Sequence, residues 1–216
     1  VKRASEQIGG EAERFAMHAG GQELPMHDAR YEPALGLAYA VDPTPGRHNT
    51  ANSGLVDIAA LREIFQVEGL SFSGRYEYDK KGVEFALLNR YLQVVNCAGL
   101  CKFSLIMGRP PVRAWINAAT GWELSMQDLL HIGHRIQVLR HVFNLREGFP
   151  PSGVALPGRA KGHPPLRRGP LRGVSLDMEA MKQDYFRAMG YNRDGVPTRD
   201  LLDSLGLSHI ADHLRL

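Results

Sequence analysis

Apolar positions recur at helical spacing through most of the second half of the chain. Val83, Leu87, Tyr91 and Val94 fall on one face, and Leu88, Leu92 and Val95 widen it. An apolar surface that broad predicts a buried helix running straight into Asn96–Cys101. A second helix is predicted from Ser125, where Asp128 completes a Ser-x-x-Asp capping pattern. Its apolar stripe is Leu129, Ile132, Ile136, Leu139 and Phe143, and Gly148 lies past its end. Ser175 is expected to cap a third helix reaching Met189, with Gly190 as its stop. Thr198–Leu205 and a short tail helix close the chain.

The first half is more broken. Lys2–Ile8 reads as the tail of a helix stopped by Gly9-Gly10. Glu13–His18 alternates polar and apolar residues and predicts a short strand ended by Gly20-Gly21. Gln22–Pro33 reads as a loop, and Ala34–Val41 as a short apolar helix terminated by Asp42-Pro43-Thr44-Pro45-Gly46. Leu55–Phe65 is expected to be helical and Gly69–Gly74 a turn. Phe149–Pro170 is a Pro/Gly/Arg-rich stretch of about twenty residues, a length that favours packing on a partner or on another domain. No internal repeat is present. The fold class is mainly α: an irregular multi-helix domain with a short N-terminal strand.

Composition narrows the function classes without choosing one. At 216 residues and 44% hydrophobic, the chain can bury a substantial core. A net charge of +3 permits anionic partners without arguing for them. No window approaches ~18 consecutive apolar residues, so no transmembrane helix is expected. The N-terminus lacks the apolar run of a secretory signal, and its missing initiator Met suits a piece of a longer polypeptide. Two cysteines cannot form a disulfide framework and point to a reducing compartment, with the cytoplasm as the expected location.

Both cysteines lie in Asn96-Cys97-Ala98-Gly99-Leu100-Cys101. C-x3-C alone makes no complete metal site, because a tetrahedral or cubane centre needs four ligands. Gly99, without a Cβ, would let the backbone approach a bulky inorganic group, Leu100 would shield it, and Cys101 is the candidate thiolate. Cys97 is read as a packing residue. His48 follows a Pro/Gly-broken loop, where a neutral imidazole can donate a hydrogen bond or move a proton near pH 7. His131 and His134 stand at i and i+3 without a third ligand and are not read as a metal pair. Glu23 and Asp28 read as loop carboxylates bound to solvent or backbone, and Asn192-Arg193-Asp194-Gly195 as a turn rather than a calcium loop. Arg159, Lys161, Arg167, Arg168 and Arg172 form a basic run without interleaved aromatics, so a solvated or docking loop is expected ahead of a nucleic-acid surface.

Several patches, in order along the chain, resemble the C-terminal part of the tungsten-containing aldehyde:ferredoxin oxidoreductases. Gln22–Arg30 is similar to a Glu-Leu-Pro-x-x-Asp-x-Arg segment, Gly36-Leu37-Ala38-Tyr39-Ala40 to Gly-Leu-x-Tyr-Ala, and Gly46-Arg47-His48 to Gly-x-His. Asn96-x-x-Gly99-Leu100-Cys101 is similar to Asp-x-x-Gly-Leu-Cys. Gly121-Trp122 and the helix through Ile132-Gly133-x-Arg135-Ile136 to Phe143-Asn144-Leu145 resemble a helix ending in Phe-Asn-Leu. Asp194-Gly195 and Leu205-Gly206 fit the family's tail. Together they extend from about residue 13 to the end.

The resemblance implies that residues 1–20 are the end of a preceding helical domain with a connecting strand. Residues 21–216 would form a cofactor-covering α-helical domain, with 148–174 as a long loop within it. Cys101 would be the fourth thiolate of a [4Fe–4S] cluster, and His48 would stand beside tungsten (or molybdenum). Asn96, Gly99 and Leu100 would lie against a pterin of the bis-pterin cofactor. The remaining ligands would come from upstream domains of the same polypeptide. The implied reaction is oxidation of a small aldehyde to a carboxylic acid, with electrons passed to ferredoxin or a similar acceptor, in a possible homodimer. Asn96 departs from the family's Asp: a carboxylate accepts from two pterin N–H donors, an amide through one oxygen only. Two rival readings are a related subunit that reduces an aromatic acyl thioester and a cofactor-free helical interaction module.

Overall fold

Helices dominate the computed structural model, which describes residues 1–49, 65, 74, 76–108 and 110–214. The chain opens with α1 (Lys2–Ile8), stopped at Gly9 as its sequence suggests, and a 3-10 turn at Ala12–Phe15. The expected strand over 13–18 is displaced. β1 (His18–Ala19) pairs antiparallel with β2 (Gln22–Glu23), His18 opposite Glu23 and Ala19 opposite Gln22. Gly20-Gly21 therefore does not end a lone strand. Both glycines have positive φ, and they make the two-residue turn of a hairpin.

α2 (Pro33–Val41) begins on proline and is buried along its whole length, as an all-apolar helix must be. It packs beside α3 (Lys81–Cys97), the axis of the fold, which α4 (Phe103–Met107), α5 (Val112–Thr120) and α6 (Met126–Arg146) follow. α4 and α5 carry no element expected from the sequence. α7 (Gly158–Lys161), α8 (Met178–Ala188), α9 (Arg199–Ser204) and α10 (Ser208–Leu214) complete the chain. The expected helix at 55–65 and turn at 69–74 lie outside the described residues, apart from Phe65 and Gly74. Phe65 is fully buried and meets Tyr91 edge-on, ring centroids 5.4 Å apart. Two apolar cores form among the described residues. The larger joins α2 and the first half of α3 to α6, α8 and α9, and the smaller joins the second half of α3 to Phe65, Leu105 and Val112.

α3 crosses α6 and α8 at backbone distance, with a glycine at each crossing. A Cβ on Gly133 of α6 would fall 1.8 Å from the Arg90 carbonyl oxygen, and one on Gly82 of α3 would fall 2.1 Å from the Tyr185 nitrogen. No helix among the described residues is long and apolar enough to cross a membrane.

The ends of α6 agree with the sequence and its buried face does not. Ser125 and Asp128 form a reciprocal capping box. Of the expected stripe, Leu129 is buried, but Leu139 is 39% and Phe143 55% exposed. The face turned inward carries His134, Gln137 and His141 instead. Gln137 meets the Tyr185 hydroxyl at 3.4 Å, and the two histidines, with Arg135, serve backbone carbonyls of other segments. His134 Nε2 lies 3.1 Å from the Met189 oxygen, His141 Nε2 2.6 Å from that of Gly195, and Arg135 donates to Leu205 O at 2.7 Å. From α3, Arg90 donates to Ala188 O. Apolar periodicity cannot register a face whose task is to supply donors.

One further expectation changes. Asp177, not Ser175, caps α8, its carboxylate accepting from the Ala180 N–H at 3.0 Å. In the 149–170 segment Leu156 and Ala160 pack into the larger core, while residues 163–170 are exposed. Asn192 makes the expected turn, its Oδ1 accepting from the N–H groups of Asp194 and Val196, both at 2.9 Å.

Candidate functional site

α3 ends in a turn made by backbone hydrogen bonds. The Leu100 N–H donates back to Val95 O and the Gly99 N–H to Asn96 O, both at 3.1 Å, with Gly99 at φ +73°. This is the paired 6→1 and 5→2 pattern of a Schellman stop, and Leu100 tucks against the smaller core as its apolar partner. Gly99 is required here for its left-handed backbone rather than for space, since nothing lies within 4 Å of its Cβ position. The turn leaves Asn96 and Gly99 exposed, Leu100 half-buried and the Cys101 thiol open to solvent. The Cys101 carbonyl is fixed in turn by the Ser104 hydroxyl at 2.7 Å as α4 begins. Cys97, expected to be packed, is exposed too and lines an apolar groove of about 540 Å³ with Trp115, Trp122 and Ile132.

His48 comes to the same end of the molecule from a different direction. The loop after α2 is anchored by Asp42, which accepts from Thr44 N at 2.8 Å and from Arg140 at 3.3 Å. Asn144 Nδ2 donates to Pro43 O at 2.6 Å. Beyond Gly46 the loop delivers His48, half-buried, to two neighbours absent from the sequence candidates. The His27 ring lies 4.6 Å from it between centroids, tilted 57°, and Lys102 Nζ donates to the His48 carbonyl oxygen at 3.0 Å. Burial lowers the His48 pKa, and the charges of Lys102 and His27 push the same way, so its imidazole is neutral at pH 7. Burial likewise lowers the Lys102 pKa, with Cys101 opposing it.

His27 also lines a cleft of about 470 Å³ between the 24–30 segment and the 159–167 loop. There Asp28 holds Arg30 through two contacts, 3.0 and 2.6 Å. Asp28 is bound to backbone as expected, accepting from the Arg30 N–H at 2.9 Å, and is ion-paired as well, while Glu23 holds the N-terminal amine at 2.6 Å. Lys102 was discoverable as the residue following Cys101, and His27 as a member of the quoted 22–30 segment. Nothing local marks either as a neighbour of His48.

Among the described residues no three His, Cys, Asp or Glu side chains gather to hold a metal ion. What the turn does offer is the exposed Cys101 thiol on a backbone held by hydrogen bonds, beside open space above Gly99. That arrangement fits one ligand of a larger shared centre, a cluster whose other ligands lie elsewhere.

The mainly helical domain thus brings the Cys101 turn and the His48 imidazole to the same end. The chain belongs to the family described as "Aldehyde ferredoxin oxidoreductase, domains 2 & 3", whose sequence model matches residues 1–207. Among curated relatives, tungsten-containing aldehyde ferredoxin oxidoreductases of Thermococcus kodakarensis and Pyrococcus abyssi are 29% and 30% identical over 90% and 91% of this chain. An "aliphatic sulfonate oxidoreductase, WOR-like subunit" of Pyrococcus furiosus is 24% identical over 95% of the chain. The chain spans only about a third of these relatives (31%, 32% and 30%). Among solved structures, the active-site complex BamBC of benzoyl coenzyme A reductase with 1,5-dienoyl-CoA shares the fold. The TM-score is 0.63 at 18% identity, over 97% of this chain and 35% of that one.

Proposed function

We propose that this chain is the cofactor-covering part of a tungsten (or molybdenum) bis-pterin and [4Fe–4S] oxidoreductase. The enzyme oxidises an aldehyde to a carboxylic acid and passes electrons to ferredoxin or a similar acceptor in the cytoplasm. What supports this most directly is one hydrogen bond: Lys102, next to Cys101, donates to the carbonyl of His48, so the Gly-Leu-Cys and Gly-x-His segments share one place. Residues 1–20 belong in this reading to a preceding helical domain, and both cofactors need ligands from upstream domains.

Cys101 supplies one cluster thiolate from a turn that the fold holds still. Asn96, Gly99 and Leu100 form the surface facing a pterin, where Asn96 offers one amide oxygen to its N–H edge. When bound, the metal–pterin centre supplies the oxygen-transfer and two-electron chemistry, and the cluster passes the electrons on singly. His48, neutral at pH 7, can donate from one ring nitrogen to a substrate carbonyl oxygen and accept a proton at the other. A second reading, reduction of an aromatic acyl thioester, draws on the fold shared with the benzoyl coenzyme A reductase complex.

The test is anaerobic purification of the complete polypeptide, elemental analysis, and assay with both substrate classes. About four irons per chain, the full complement of a [4Fe–4S] cluster, are expected with tungsten or molybdenum. Cys101→Ala should lose cluster iron with its circular dichroism unchanged; full iron retention would remove Cys101 as a ligand. His48→Ala should keep both metals and lose about 10²–10⁴-fold in kcat, the usual worth of a positioned acid–base group. Unchanged turnover would remove His48 from the chemistry.

A further inference from the structure

Resting on that functional reading, we propose that Lys102 is a positioning residue. Its ammonium, donated to the His48 carbonyl oxygen, sets the Gly-x-His loop against the turn that carries Cys101.

The anchoring of the loop stops short of the residue it has to present. Asp42, Pro43, Thr44 and Gly46 are all tied, the last by its N–H donating to Tyr39 O at 3.2 Å. Beyond Gly46, the hydrogen bond that holds the chain among the described residues comes from Lys102. Holding the His48 carbonyl restrains the peptide plane that follows it, and that plane contains the Cα from which the imidazole leaves the backbone. The His27 ring then limits the imidazole from the side. Lys102 is itself well placed to act as a reference, because the residues before it end in the Leu100–Val95 and Gly99–Asn96 bonds and its own carbonyl accepts from Leu105 N at 3.0 Å. One lysine thus gives the thiol and the imidazole a common frame although 53 residues separate Cys101 from His48. Its ammonium is held half out of water for a single neutral acceptor, an arrangement that costs hydration and rotamer freedom and adds little to stability.

The complete enzyme tests this with Lys102→Met, which keeps the stem and loses donor and charge, and Lys102→Arg, which keeps both. With Lys102→Met we expect full iron content, kcat down about 10–100-fold as for a misplaced reacting group, and KM for the aldehyde within about twofold of wild type. Loss of the cation beside Cys101 should also lower the cluster's midpoint potential in a redox titration followed by electron paramagnetic resonance. Lys102→Arg should restore the potential and most of kcat. Should Lys102→Met fail to fold, Lys102→Leu, which also lacks donor and charge, takes its place with the same expectations.

A raised KM at unchanged kcat, lost iron, or wild-type kinetics in Lys102→Met would each overturn the assignment. A wild-type enzyme without iron or heavy metal sinks the functional reading, whereas a loaded, active wild type with an unaffected Lys102→Met variant sinks only the role of Lys102.

Discussion

Gly133→Ala exposes the architecture to a severe test. Gly133 lies inside α6, where alanine is the better helix former by about 1 kcal/mol, so an isolated helix would gain from the change. In the fold the new methyl would stand 1.8 Å from the Arg90 carbonyl oxygen and 2.6 Å from its carbon, whereas ordinary contact begins at 3.4 Å. The two helices must therefore part by about 1.6 Å (3.4 − 1.8). The obstacle is backbone within a helix, which no rotamer change can clear. Overpacking of this kind costs about 1–3 kcal/mol. Parting the seam also opens gaps beside Leu129, Leu130 and Val138, adding about 2 kcal/mol of lost core contact. Less the helix gain, about 3 kcal/mol of destabilisation is expected, or a melting point lower by roughly 6–12 °C in a protein of this size. Urea and thermal unfolding followed by circular dichroism would measure it. Gly153→Ala is the control, since nothing lies within 4 Å of that Cβ and its midpoint should not move. A Gly133→Ala midpoint at or above wild type would refute the backbone-to-backbone crossing.

Acid should destabilise the fold well before carboxylates titrate. Burial, with the charge of Arg90, lowers the His134 pKa from 6.5 to about 3, and burial lowers that of His141. The unfolded chain then binds more protons below pH 6.5, so the stability present above that pH drains as pH falls toward 3. His134 alone accounts for about 2.7 kcal/mol at pH 4.5, two units at about 1.36 each. Urea midpoints at pH 7 and 4.5 would show the loss, and His134→Gln, which can still donate to Met189, should flatten the slope; equal slopes would mean the ring is not buried neutral. Gly99→Ala places a Cβ on a left-handed residue and should cost about 1 kcal/mol in the same assay. A neutral result would show that the turn does not need its positive φ.

The sequence revealed most where one physical signal dominated. α3 was legible because its apolar residues nearly encircle it, and the start of α6 because Ser125 and Asp128 satisfy each other. The inward face of α6 was not, since Ile132, Ile136, Leu139 and Phe143 outweigh His134, Gln137 and His141 on any hydrophobicity count. Which face turns inward depends on carbonyls at Met189 and Gly195, which are brought there only by the tertiary fold. Gln22-Glu23 looked like loop because two-residue strands carry no periodicity. Ser175 and Asp177 are both acceptable caps, and only the packing of α8 chooses between them. Cys101 and His48 stood out through short motifs in the chain. The contacts of His48 with His27 and Lys102 join segments 21 and 54 residues away, and no local pattern encodes such a meeting.

The turn at the end of α3 separates the atoms that make its shape from the side chain it exposes. Its geometry rests on main-chain hydrogen bonds, one left-handed glycine and the anchoring of Leu100, while the thiol of Cys101 contributes nothing to holding it. The position is therefore a socket: serine, aspartate or a second kind of metal-binding side chain could sit there on the same backbone. Descendants of such a domain can change the side chain offered at this position without first having to invent a new fold.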